Sequence, residues 1–184
     1  MNKAKATPNH TSKLVTLFFL VAMLVTFSLS ASAQSTAYWT TAGSASATED
    51  EANPAKPTYT NQTAAINGGA NGLYVLRYNV TAVDGLFNNP ANGFMRVRVR
   101  DTGAGANVLV ILRRSNLSAG GIETVATFDS DSIGAGSGFQ TPADVPFAHT
   151  FDFTSYVYWL DVTLNRIDGS GMPGFAGAII GNTP

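Results

Sequence analysis

Phe94-Met95-Arg96-Val97-Arg98-Val99-Arg100 alternates from Met95 onward between apolar and charged side chains. Successive Cβ atoms of an extended chain point to opposite sides, so Met95, Val97 and Val99 share one face and the three arginines the other. A helical period would scatter both sets around the axis. The segment therefore reads as a strand with one side in an apolar core and one toward water, the pattern of an antiparallel sheet.

The same reading extends outward. Leu73–Ala82, LYVLRYNVTA, places Tyr74, Leu76, Tyr78 and Val80 on one face, with Val75, Arg77 and Asn79 on the other. Val108–Leu112 is an almost unbroken apolar run, as expected of a central strand, and Arg113 and Arg114 are expected to end it. Ile122–Phe128, Phe147–Phe153, Tyr156–Asn165 and Phe175–Ile180 continue the β-branched and aromatic enrichment, and Tyr38–Thr41 is a shorter candidate. Gly-, Asn-, Pro- and Ser-rich stretches separate them. The short connections predict an antiparallel meander over residues 93–128. About seven to nine strands at this spacing predict an all-β, antiparallel β-sandwich of the jelly-roll type.

The N-terminal end differs. Lys3, Lys5 and Lys13 precede an apolar stretch, Leu14–Leu29, and then Ala31-Ser32-Ala33. A positive region, a hydrophobic segment and a small-x-small triplet are the marks of a cleavable signal peptide. The run is about 16 residues, short of the roughly 20 that span a bilayer as a helix. The expected organisation is a signal peptide over 1–33, an N-terminal strand and loop segment over 34–71 and a sandwich core over 72–184, with 34–184 as one domain. Secretion, the periplasm or the cell surface is the expected location, with no membrane anchor after cleavage.

Cleavage would remove three of the eleven cations and none of the twelve acids, leaving a net charge of −4. Such a domain lacks the positive field that nucleic acids and anionic membranes require. The chain has no cysteine, so disulfides, thiolate metal sites and cysteine nucleophiles are excluded and stability must come from burial.

Candidate chemistry is sparse. His149 is the one histidine beyond the leader and falls in Phe147-Ala-His149-Thr-Phe151-Asp-Phe153, the setting of a packing residue; Gly136-Ser137-Gly138 lacks the five-residue form of a nucleophile elbow. Glu123, Asp152 and Asp161 are the acids inside expected strands, and nothing pairs two of them for glycoside hydrolysis. Asp129 and Asp131, one residue apart and joined by Asp144, are the candidate ligands for calcium, although Ile133 and Gln140 break the EF-hand pattern. Arg96, Arg98 and Arg100 form a cation row that needs solvent, cross-strand acids such as Asp101, Glu123 or Asp161, or an anionic ligand. Trp39 and Trp159 are candidates for stacking on sugar rings.

At Met95-Arg-Val-Arg-Val-Arg100, Thr127-Phe-Asp-Ser130, Gly138-Phe-Gln140 and Phe151-Asp-Phe153-x-x-Tyr156 the chain resembles small uncharacterised exported β-sandwich proteins of environmental bacteria, over about residues 72–181. The resemblance implies a bacterial host and a sandwich fold, and carries no activity or site residues.

The expected function is that of a noncatalytic exported binding or structural module. A lectin-like carbohydrate-binding module and a hydrolase with an unrecognised site are the alternatives. The expected partners are a glycan, another exported protein, or a second copy joined through open sheet edges, with residues 35–48 as a strand donor.

Overall fold

A computed structural model describes residues 38–48, 56–68, 71–83 and 92–182. The expected signal peptide, the acidic loop at Glu49–Glu51 and most of the loop over 83–92 lie outside the described residues. The described strands belong to one compact unit, Ser35–Pro184.

Eleven strands are found among the described residues: β1 Tyr38–Ala42, β2 Ala47–Thr48, β3 Thr58–Thr60, β4 Thr63–Ala65, β5 Gly72–Val80, β6 Gly93–Arg100, β7 Ala106–Asn116, β8 Gly120–Asp129, β9 Val145–Phe147, β10 Tyr156–Arg166 and β11 Gly174–Asn182. They form two antiparallel sheets. The first has the order β3-β4-β11-β6-β9, with β1 also on β11; the second has the order β2-β5-β10-β7-β8. From β4 onward, the chain weaves between the layers so that β4-β11-β6-β9 faces β5-β10-β7-β8. This is the eight-strand connectivity of a jelly roll, and it bears out the expected fold class.

The alternation read from the sequence sets the layers. Met95, Val97 and Val99 of β6 point inward and are buried, beside Phe175, Ala178 and Ile180 of β11. Leu76, Val110, Leu112, Leu160, Val162 and Leu164 face them from the second sheet, all without solvent exposure. Tyr78 reaches across the layers: its ring lies 5.3 Å from that of Phe175, and its hydroxyl donates to the Gly43 carbonyl at 2.7 Å. Apolar burial at roughly 25 cal/mol per Å² is what holds a cysteine-free sandwich together.

Three expectations are corrected. The segment from β6 to β8 is not a meander, because β6 lies in the first sheet and the β7–β8 hairpin in the second. Alternation tells which side of a strand is apolar, and both sheets present an apolar side to the same core. Arg113 and Arg114 do not end β7, which runs to Asn116; each is held by an acid on an adjacent strand. Strand structure stops at Phe147 instead of continuing to Phe153. There the Asp152 carboxylate accepts from Thr154 N, Thr154 Oγ1 and Ser155 N at 2.6–3.2 Å, closing a turn that leads into β10. Those bonds hold the carboxyl well below its ordinary range, at about 2.

Residues 38–42, expected within a donor strand for another chain, pair instead with β11 from Ala42↔Gly177 to Tyr38↔Gly181. The β8 edge exposes Ile122, but its register with β7 shifts twice, between Leu112 and Arg113 and between Ser115 and Asn116. Bulges and a charge such as Glu123 twist and mark an edge against added strands.

Candidate functional site

The outer face of the first sheet carries the arginine row, and the three cations have different surroundings. Arg96 makes a two-pronged pair with Asp144, Nε to Oδ1 at 2.7 Å and Nη2 to Oδ2 at 2.8 Å, and lies 5.4 Å over the Phe94 ring. The hydrogen-bonded carboxylate raises the pKa of this guanidinium. Arg100 donates to the Met172 carbonyl at 3.0 Å and to Asn67 Oδ1, and lies 5.4 Å over the Phe139 ring. Its burial lowers its pKa, and it joins three loops at one end of the sheet. Arg98, between them, is exposed and makes no hydrogen bond or ion pair among the described residues. The cross-strand acids anticipated for the row are elsewhere: Glu123 holds Arg114, and Asp161 lies between Arg77 and Arg113 on the second sheet.

Arg96, with its guanidinium on Asp144, and Arg98 both border a groove of about 330 Å³. Ala176, Gly177, Ala178 and Ile179 of β11 contribute to its floor, Thr40 and Gln62 stand toward β1 and the β3–β4 turn, and Thr141 stands beyond β6. Small residues at the floor have a backbone cause. The β6–β11 register shifts between Phe175 and Gly177, and a Cβ on Gly177 would collide with the Thr41 carbonyl oxygen. The site opposite Arg98 is thus reserved for glycine, and no side chain fills the space. Further along this face Tyr38 is 46% exposed, its ring 6.0 Å from that of Phe94.

Neither tryptophan supplies a stacking platform. Trp39 points inward from β1, opposite Ile180, and is 7% exposed in the core. Trp159 lies on the outer side of the second sheet but is 9% exposed, with the Arg77 guanidinium 5.5 Å from its ring. Tyr38 is an outward, exposed aromatic on the grooved sheet, on a short element whose pairing could not be read from composition.

The aspartates proposed for calcium do not meet. Asp144 holds Arg96 on the first sheet, whereas the Asp129 carboxylate accepts from Asn107 Nδ2 at 2.7 Å and from Asp131 N at 3.1 Å, capping a short 3-10 turn. Among the described residues no three His, Cys, Asp or Glu side chains form a cluster able to hold a metal ion.

His149 packs at the end of the sandwich. Its Nε2 lies 3.2 Å from Tyr158 Oη, and its ring meets Phe151 edge-on at 5.0 Å. Desolvation by burial, aided by the Arg114 cation, pushes the imidazole pKa down. The folded chain then binds this proton less readily than the unfolded chain does. Stability from this group is full above the ordinary value of about 6.5 and is lost as pH falls below it. Thermal melts of His149→Gln should therefore fall less between pH 7 and pH 5 than those of the parent; equal slopes would dismiss the effect.

No family model and no curated protein matches the chain. Among solved structures it is similar to a family 29 carbohydrate-binding module complexed with cellulohexaose, at 13% identity over 79% of this chain and 91% of that one, with a TM-score of 0.44. It is also similar to the family 30 carbohydrate-binding module of a cellulosomal cellulase of Clostridium thermocellum, at 13% identity over 79% and 91%, with a TM-score of 0.39. A Stig cyclase from Fischerella sp. TAU gives 11% identity over 85% and 93%, with a TM-score of 0.45.

Proposed function

We propose that the domain is a noncatalytic binding module, exported by a bacterial host to the periplasm, the cell surface or the medium, that takes a saccharide on the outer face of its first sheet. The observation that carries this reading is the groove over Ala176–Ile179. It combines an open, small-residue floor with convergent polar groups: the hydroxyls of Thr40 and Thr141, the Gln62 amide and the Arg98 guanidinium. Such a mixture of apolar floor and few directed polar groups is what orients a small ligand. A sugar ring presents hydroxyls to the rim and C–H groups to the floor, and Tyr38 adds an exposed ring further along the same face.

The test is a glycan array probed with the purified chain and with Thr40→Trp. Thr40 is exposed on β1, so the indole occupies the groove without entering the core. The parent is expected to bind at least one glycan class, and the variant to lose that binding by roughly tenfold or more, with an unchanged melt. Silence of the parent across neutral and acidic glycans, or full binding by Thr40→Trp, removes the reading.

A further inference from the structure

We infer that the ligand of this groove carries a carboxylate, and that Arg98 is the residue that reads it; the inference rests on the saccharide reading above. It follows from where every other arginine is spent. The chain has seven arginines, all among the described residues. Arg77 and Arg113 both face Asp161, at 2.8 Å each, and Arg96 is held by Asp144. Arg114 is held by Glu123. Arg100 and Arg166 donate to backbone carbonyls, of Met172 for the one and of Asp168 and Gly169 for the other. Of the two arginines that border the groove, Arg96 is held by Asp144, and Arg98 alone among the seven makes no such bond.

Its setting sharpens the point. Arg96, Arg98 and Arg100 sit on alternate residues of one strand face, and among the described residues Asp144 is the one carboxylate paired to that row. Arg100 is bonded to neutral acceptors, so its charge is not cancelled there. The strand face as a whole thus carries three cations against one paired carboxylate, and Arg98 is the member of the row at the groove that has no partner. Like cations in a row cost energy on a sheet face unless an anion offsets them. The planar guanidinium fork matches a planar carboxylate in two parallel hydrogen bonds, which an ammonium cannot make. The hydroxyls of Thr40 and Thr141 and the Gln62 amide are placed to take the remaining polar groups of a uronic acid ring.

The experiment is titration calorimetry of the full chain with oligogalacturonate and with its methyl ester, which removes the charge and keeps the sugar. The acid should bind roughly tenfold to a hundredfold more tightly than the ester, the value of one charge-assisted pair. Arg98→Gln should erase that difference. Arg98→Lys, which keeps the charge and loses the fork, should restore part of it. Equal binding of acid and ester by the parent overturns the inference, as does an acid preference that survives in Arg98→Gln. Binding of neutral glycans that Thr40→Trp blocks, without an acid preference, leaves the saccharide groove standing and overturns the carboxylate alone. Absence of binding in every arm overturns both.

Discussion

Phe175→Ala is expected to cost about 3–5 kcal/mol of unfolding free energy, the range for truncating a buried phenylalanine. The ring has no solvent exposure and sits on β11 opposite Val99 on one side and Ala64 on the other. Its contact with Tyr78, 5.3 Å between centroids at 51°, is one of the places where the two layers grip each other. Truncation opens a cavity at that junction, and Tyr78 cannot move in to fill it. Its hydroxyl is bound to the Gly43 carbonyl at 2.7 Å in a buried site, so a shift would strand both groups. Single domains have about 5–15 kcal/mol in total, so the loss is a large share of what the chain has. Urea unfolding should show a lower midpoint with an unchanged slope, and a melt lower by about 10 °C. A loss below about 1 kcal/mol would mean that the layers are not joined through this ring.

The second large effect is expected at Gly171→Ala. A Cβ there would fall inside the Gly105 carbonyl group and 3.1 Å from Ala106 N. These are backbone atoms, so no side-chain rotation relieves the clash. They belong to two turns held against each other at one end of the sandwich. Ile167 N donates to Gly105 O at 2.9 Å, Asp168 N to the same oxygen at 3.4 Å, and Met172 N to Thr102 Oγ1 at 2.9 Å. Separating the turns to admit a methyl group would break this set of bonds. The expected cost is about 3 kcal/mol or more, at the upper end for overpacking. Gly138→Ala is the control: a Cβ there meets nothing within 4 Å, and its effect should stay within about 0.5 kcal/mol. If the two substitutions cost the same, close approach of the turns is not what reserves position 171 for glycine.

The parts of the fold that were legible in the sequence were those governed by local rules. Strand faces follow from alternation, and Met95, Val97 and Val99 inward against Arg96, Arg98 and Arg100 outward is what the structure contains. The long apolar run of β7 was equally plain. Partnership was not legible, because it depends on residues far along the chain. Asp144 reaches Arg96 from 48 positions away, and the carbonyl that takes Arg100 is 72 positions away. The arginine row therefore looked uniform in the sequence, although the fold gives its members a carboxylate, open space and two neutral acceptors in turn. The tryptophans misled for a related reason: a large ring on an alternating strand has two sides to choose from. At Trp39 the core side won, and at Trp159 a neighbouring arginine covers the outer side. Phe147–Phe153 looked like a strand from its aromatic content, but pairing ends at Phe147, and Asp152 bonds to its own following residues in the turn before β10.

The position of β11 has a consequence for assembly in time. It is the last strand in chain order, yet β1, β4 and β6 all hydrogen-bond to it, so the first sheet has no centre until it arrives. Of the longer pairings, β7–β8 alone is a neighbouring hairpin, while Val80 waits for Tyr158 and Tyr38 for Gly181. Such remote closures make for slow acquisition of structure, on the scale of milliseconds to seconds. The second sheet can pair once β10 is made, whereas β1, β4 and β6 wait for β11, and a copy truncated before Gly174 should lack the centre of the first layer.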